Sequence, residues 1–332
     1  MVQPAANPST TPSSWSVSRD QMLQVCERKY FFQYLAGGRL NGETPELREI
    51  GLLKKLKPYP VWLGEVFHRG IAEFFHSHGG DTPLTADRLI SLARQQVASD
   101  WHFSSQRTFL KKPYAIDKEG AALLEHFYGE MPADKSPESA SDQVATLLER
   151  FLSWVAEVNL IARMKDADRV WIEPDAWGPE APGFWEDGVQ VITKVDLAFG
   201  RHGEGFEIYD WKSGRAPTDK PPFLGQHELQ VGIYQLWPLL SLGVEAPAIS
   251  SNLVYFGNES PVVETHKLDD ETLPLLRSTL RNSVRLTRQW EECLQAGVII
   301  RDELSYAYNV HTCRQCGFRQ LCRQTLDRYA HA

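Results

Sequence analysis

Three charged residues and a group of cysteines are the parts of this chain whose types and spacing could do chemistry. Asp210 and Lys212 stand one residue apart in Phe206-Glu207-Ile208-Tyr209-Asp210-Trp211-Lys212, a run that reads as a strand stopped by Ser213-Gly214. Period two places Asp210 and Lys212 on one face of that strand and turns Trp211 to the other. Asp196 falls in an earlier alternating run, Val189 to Phe199. There Val189, Val191, Thr193, Val195 and Leu197 share one side, and Gln190, Ile192, Lys194, Asp196 and Ala198 the other. With Gly200 to Gly205 as a turn, the two runs make a hairpin that brings two carboxylates and an ammonium together. Carboxylates held close repel unless a cation joins them, and hard oxygen donors suit Mg²⁺ or Mn²⁺. Such a cation acidifies water and stabilises charge on a phosphate, while Lys212 positions or activates the attacking water and neutralises phosphoryl oxygens. An Asp-x-Lys on a strand is by itself most often an exposed ion pair, so its company in the chain must carry the argument.

The cysteines are Cys26, Cys293, Cys313, Cys316 and Cys322. The count is odd, and the opening residues, rich in Pro, Ser, Thr and Ala, lack the basic start and apolar run of a signal peptide. A disulfide framework is therefore not expected, and metal ligation is the better use for most of these thiols. Cys313, Cys316 and Cys322 supply three thiolates within a loop and a turn of helix. Cys26, on a terminal helix free to dock beside them, is the natural fourth, because Cys293 lies inside a long predicted helix and reads as a small buried hydrophobe. Four thiolates suit either Zn²⁺ or an iron-sulfur cluster, and spacing does not separate the two. Either would close a very long loop between the two ends of the chain.

The body that positions these groups reads as follows. Residues 1–15 are a flexible arm. Residues 16–79 hold two amphipathic helices, Ser16 to Leu35 with Ser18 and Asp20 as caps, and Val61 to His76 with Gly64 near its start. Residues 80–168 are a helical insert, with helices around Leu89 to Trp101, Ala121 to Tyr128 and Ala145 to Met164. Residues 169–260 hold a strand beginning Val170-Trp171-Ile172 and ending at the Pro174 to Pro182 turn region, the hairpin, a helix from Phe223 to Leu240 and a strand from Asn252 to Phe256. Residues 261–332 hold a long helix from Asp270 to Ala296 and the cysteine segment. Helix, three strands, helix and strand in that order imply a mixed α/β core.

Of the 332 residues, 42% are hydrophobic and 23% charged, which excludes wholesale disorder. No stretch reaches the apolar length of a membrane span, so the chain is expected to be soluble and cytoplasmic, with no membrane partner. The net charge of -8 argues at first sight against a polyanionic partner. Local clusters at Lys54, Lys55 and Lys57, at Lys111 and Lys112, and at Arg314, Arg319 and Arg323 nevertheless leave room for a basic groove on an acidic body.

Val195-Asp196, Asp210-Trp211-Lys212 and Gln230-x-x-x-Tyr234, in that order, resemble the motifs of the PD-(D/E)XK nuclease superfamily, in particular its RecB-like branch. Gly64-x-x-x-His68 resembles that branch's first motif. The resemblance covers about Ser16 to Cys322 apart from the helical insert, and Val195 stands in place of the proline for which the superfamily is named. It implies a restriction-endonuclease-like αβββαβ core. It further implies that His68, Asp196, Asp210 and the backbone carbonyl of Trp211 bind the divalent metal, that Lys212 is the catalytic lysine, and that Gln230 and Tyr234 touch DNA or brace the site. Neutral imidazole suits Mn²⁺ better than Mg²⁺. Gln230 and Tyr234 are four apart and so share a helical face. Glu173, on the preceding strand, could approach the site. The split of the cysteines into one plus three resembles the iron-sulfur members of the branch, which include CRISPR-associated nucleases and helicase-nuclease subunits. It implies a 4Fe-4S cluster, with Zn²⁺ as the alternative.

The expected function is hydrolysis of DNA at ends or in single strands, in repair, recombination or defence, with the insert and the cysteine lobe as channel walls. Trp62, Trp101, Phe103 and Tyr114 are candidates for stacking on bases. No helicase P-loop is present, so unwinding would come from a helicase or a CRISPR or defence partner. The alternatives are a non-catalytic DNA-binding or scaffolding subunit, which the joint presence of Asp196, Asp210 and Lys212 argues against, and a zinc-stabilised regulator.

Overall fold

A computed structural model describes residues 14–80, 82–173, 182–201, 205–218, 226–307 and 309–322. Most of the N-terminal arm, the Pro174 to Pro182 turn apart from its last residue, and Arg323 lie outside the described residues. The longer helices are α1 (Val17–Val25), α2 (Pro45–Leu53), α3 (Tyr59–His78), α4 (Ala86–Ser105), α5 (Pro137–Glu157), α6 (Gln226–Trp237) and α7 (Thr272–Gln295). The strands of the core are β1 (Arg169–Ile172), β2 (Gly183–Glu186), β3 (Val189–Ile192), β4 (Leu197–Arg201), β5 (Gly205–Lys212), β6 (Ile249–Tyr255) and β7 (Val262–Lys267). The chain forms two compact units, one of Met1–Tyr59, Ser99–Pro132 and Ser283–Ala332, the other of Pro60–Ala98 and Ala133–Asn282. Residues 80–168 are thus shared between the units.

The second unit is built on a five-stranded sheet in the order β1-β4-β5-β6-β7, antiparallel throughout except for the parallel pair β5 and β6. This is a mixed α/β core in which α3, β1, β4, β5, α6 and β6 come in the order αβββαβ, with α4 and α5 inserted after α3 and the β2–β3 hairpin after β1. On one face of the sheet Trp211 packs among Phe75, Phe151, Trp154 and Phe256. α5 reaches that layer because Ser136 and Ser139 close a capping box ahead of Pro137, and Val144, Leu148, Phe151 and Val155 recur at helical spacing on its buried side. On the other face Trp237 of α6 meets Phe206 and Trp171. Asp210 and Lys212 therefore lie under α6, and Trp211 lies in the opposite layer.

The alternating run Val189 to Phe199 is not one strand. Asp187 and Gly188, at φ +48° and +75°, turn the chain so that β3 pairs with β2 in a separate two-stranded hairpin. The run breaks after Ile192, and Asp196 sits at a bend just before β4. The hairpin of β4 and β5 forms as expected, with Leu197 opposite Tyr209. The expected helix Ala145 to Met164 is also two pieces, because Asn159 at φ +51° separates α5 from Leu160–Lys165. Ala121 to Tyr128 opens as a short strand, Ala122–Leu123, paired with Leu56–Lys57, and is helical only over Leu124–Tyr128.

In the first unit, the helix expected over Ser16 to Leu35 is interrupted at Cys26. That residue is extended, and its Sγ accepts the Lys29 N–H at 3.4 Å as a cap for the next turn. Ser16, rather than Ser18 or Asp20, caps α1. Asp20 is instead buried, bonded to Ser283 and to Gln24. A core of Phe32, Ile50, Leu53, Phe103, Phe109 and Phe318 fills this unit. Among the described residues, no helix is long and apolar enough to cross a membrane.

Candidate metal centre and cysteine cavity

β5 delivers Asp210 and Lys212 side by side, and α6 holds them there. The Lys212 ammonium lies 2.5 Å from Asp210 Oδ2 and donates to Gln230 Oε1 at 3.1 Å. The Gln230 amide donates back to Asp210 Oδ1 at 3.2 Å and to the Tyr234 hydroxyl at 2.7 Å. Gln230 and Tyr234 thus use their shared helical face to fix the acid and the lysine. Asp210 is buried, and its Oδ2 accepts no aligned hydrogen bond despite the ammonium beside it.

Asp196 faces this group from the bend before β4. Its Oδ2 accepts the Trp211 backbone N–H at 2.6 Å, and its Oδ1 lies 3.1 Å from Nδ1 of His68 on α3. Glu173, at the end of β1, is fixed by its backbone N–H on the Asp196 carbonyl at 3.1 Å, and its carboxylate comes within 3.9 Å of the same imidazole. One donor atom from each of His68, Glu173 and Asp196 lies within 4.8 Å of the others. Gly64 faces the strand end here: a Cβ at residue 64 would stand 3.3 Å from Ser213 Oγ, just beyond Lys212. A groove of about 480 Å³ leads along α3 past Val61, Gly64 and Arg69 to His68 and Glu173.

The electrostatics of the group are those of a shared proton. Burial, reinforced by the Asp210 charge and opposed by His68, pushes the Asp196 carboxyl up to about 6. Burial disfavours the His68 cation, but the adjoining Asp196 carboxylate outweighs it and holds the imidazole well above its usual range. The hydrogen bond to His68 keeps the Glu173 carboxyl below its usual value.

The donor set fits a hard or borderline divalent cation. It has two carboxylates and an imidazole within reach of one point. Glu173, rather than Asp210, completes the tight set; Asp210 is engaged by Lys212. The signal for Glu173 was its place at a strand end, which the register of β1 on β4 brings beside Asp196.

The sequence model of the PD-(D/E)XK nuclease superfamily matches residues 14–323. The chain belongs to the PD-(D/E)XK nuclease superfamily. Members of this superfamily are typically metal-dependent nucleases, and the mixed sheet agrees with their core. No curated protein matches the chain.

The first unit holds a second feature. Cys26, Cys313, Cys316 and Cys322 line one cavity of about 480 Å³, together with Arg28 and Lys29. Burial pushes the Cys322 thiol up to about 12, and the other three cysteines add to the rise. Cys316 is raised for the same first reason. Cys293 is half-buried rather than a fully buried hydrophobe.

Several expected DNA contacts are not available as drawn from the sequence. Trp62 and Phe103 are buried in the core, and Trp101 packs edge-on against Tyr59 and His126. Tyr114 is exposed, with its hydroxyl on the Leu40 carbonyl. In the basic clusters, Lys55 and Lys57 both pair with Asp117, and Arg319 is buried between Tyr128 and Glu130.

Proposed function

We propose that this superfamily member is a Mg²⁺- or Mn²⁺-dependent deoxyribonuclease of the RecB-like type, acting on DNA ends or single strands. The observation that carries this reading is the meeting of His68, Glu173 and Asp196 beside an Asp210–Lys212 pair braced by Gln230 and Tyr234. His68, Glu173 and Asp196 would hold the cation, with Asp210 and the Trp211 carbonyl as its neighbours on β5. A cation there supplies Lewis acidity toward a phosphodiester. Lys212, pinned by Asp210 and Gln230, points fixed N–H donors at an attacking water and at the charge developing on phosphoryl oxygens. The groove along α3 is the entry for the strand, with Arg69 as its cation and the acidic centre at its end.

The four cysteines lining one cavity are what supports a cluster held by Cys26, Cys313, Cys316 and Cys322, read as 4Fe-4S with Zn²⁺ as the alternative. Such a cluster would tie the N-terminal helix to the C-terminal segment. Repair, recombination or defence, beside a helicase or CRISPR partner, is the setting this architecture suits. The test is incubation of the purified chain with Mn²⁺ or Mg²⁺ on labelled single-stranded and duplex DNA, beside Asp210→Ala and Lys212→Ala. Cleavage by the wild type alone supports the reading, and equal cleavage by all three removes it.

A further inference from the structure

A second pair of side chains stands next to Lys212 and takes no part in the contacts above. β5 and β6 run parallel with Lys212 opposite Tyr255, and Tyr255 is buried on the sheet face under α6 with Val231 and Leu253. Its hydroxyl lies 2.8 Å from Nδ1 of His227, one turn before Gln230 on the same helix. α6 therefore grips two neighbouring strand ends with residues three apart: Gln230 holds Asp210 and Lys212, and His227 holds Tyr255. The charged groups around the imidazole are Lys212 and Asp210 from β5 and Glu264 from β7, while Glu228 of α6 bears on Tyr255. Burial, then the Lys212 charge, holds His227 below the usual imidazole range, and burial keeps the Tyr255 hydroxyl protonated.

The hydrolysis read from this site needs somewhere for the proton of the attacking water to go. A lysine ammonium offers donors and no lone pair, so Lys212 orients water without taking its proton. His68 and Asp196 share a proton and face the cation site, and Asp210 is held by Lys212 and Gln230. The Tyr255 hydroxyl, bonded to the imidazole of His227, stands on the strand paired with Lys212 on the side away from β4.

We propose that Tyr255 and His227 form the proton acceptor for the water that attacks the phosphodiester, an inference that rests on the nuclease reading. As the water oxygen forms its bond to phosphorus, one of its O–H bonds breaks and the proton passes to the Tyr255 oxygen. The Tyr255 proton moves to Nδ1 of His227. The bond from phosphorus to the leaving oxygen breaks, that oxygen takes a proton from solvent, and the imidazolium returns its own proton to solvent. Protons and charge balance over the cycle.

The test is single-turnover cleavage of labelled single-stranded DNA at saturating Mn²⁺, followed from acid to alkaline pH, for the full chain and for His227→Gln, His227→Gly and Tyr255→Phe. Thermal unfolding and Mn²⁺ binding of each variant report on the fold and the cation site. The wild-type rate is expected to climb as His227 loses its proton and then level. His227→Gln and Tyr255→Phe are expected to fall about 100-fold and to lose that climb, as for removal of a general base. Free imidazole is expected to restore part of the rate to His227→Gly and none to Tyr255→Phe. Should His227→Gln fail to fold, Tyr255→Phe carries the same comparison. An active wild type whose variants keep its rate and pH profile overturns this inference alone. So do variants that lose rate with an unchanged profile and no imidazole rescue, the signature of a mere clamp. A wild type that cleaves nothing overturns the nuclease reading and this inference with it.

Discussion

The two carboxylate oxygens of Asp196 serve different elements: Oδ2 accepts the backbone N–H of Trp211 at 2.6 Å, and Oδ1 faces His68 Nδ1 at 3.1 Å. One side chain thus couples the helix carrying the imidazole to the strand carrying Asp210 and Lys212. Asp196→Ala is expected to lose cleavage and also to leave the buried Trp211 N–H without its acceptor, costing about 1–3 kcal/mol of stability. Denaturant unfolding beside a cleavage assay checks both effects. Unchanged stability would show that the hydrogen bond contributes nothing.

Lys212→Ala removes the fixed donor from the site while leaving Trp211 and the sheet intact. Loss of one preorganised donor of this kind lowers cleavage by about 10²–10³, and that drop is expected here together with a lower melting temperature, because the buried Asp210 loses its cationic partner. A rate within a few-fold of wild type would show that the lysine only neutralises Asp210.

Cation binding should depend on pH. The Asp196 carboxyl is held at about 6 and His68 above its usual range, so at mildly acid pH both carry protons that an incoming cation must displace. Affinity for Mn²⁺ is therefore expected to be weak in acid, to rise as pH passes about 6, and to level at alkaline pH. Calorimetry in buffers of different ionisation heat should register proton release that fades as pH rises. Glu173→Gln is expected to weaken binding at least about 10-fold. An affinity independent of pH would count against His68 and Asp196 as ligands.

The cysteine cavity makes a separate prediction. Protein purified without oxygen is expected to carry iron and acid-labile sulfide, to lose both in Cys26→Ser, and to keep both in Cys293→Ser, whose thiol lies away from the cavity. Zinc in place of iron, with the same dependence on Cys26, would identify the alternative metal.

In the first unit the buried Glu291 accepts the Tyr30 hydroxyl at 2.5 Å and pairs with Arg19 at 3.3 Å. Tyr30→Phe is expected to destabilise that unit by about 1–3 kcal/mol through the acceptor left behind, measurable as a lower denaturation midpoint. An unchanged midpoint would mean that Arg19 alone satisfies Glu291.

Period two was enough to put Asp210 and Lys212 on one face, because β5 is a regular central strand with the hairpin partner that its sequence announces. The break after Ile192 was not legible. Alternation runs on through Thr193 and Val195 while the pairing partner changes from β2 to β1 and β5, and a hydrophobic pattern does not encode its partner. β7 escaped notice because Val-Val-Glu-Thr-His-Lys is half polar, as an edge strand with one covered face must be. Cys26 interrupts a pattern that is helical on both sides, so periodicity carried across it. Glu173 looked like an ordinary strand-end carboxylate, and only the register of β1 against β4 gives it a neighbour in Asp196.

The hydrogen bond from the Glu173 N–H to the Asp196 carbonyl has a consequence for how this protein can vary. It ties off the neck of the chain between those two residues, so whatever lies between them leaves and rejoins the core at a fixed gate. The β2–β3 hairpin lies between them, and its turn at Asp187-Gly188 is where its length can change, because Phe184, Val191, Thr193 and Val195 are buried. Diversity can thus accumulate against an unmoving centre.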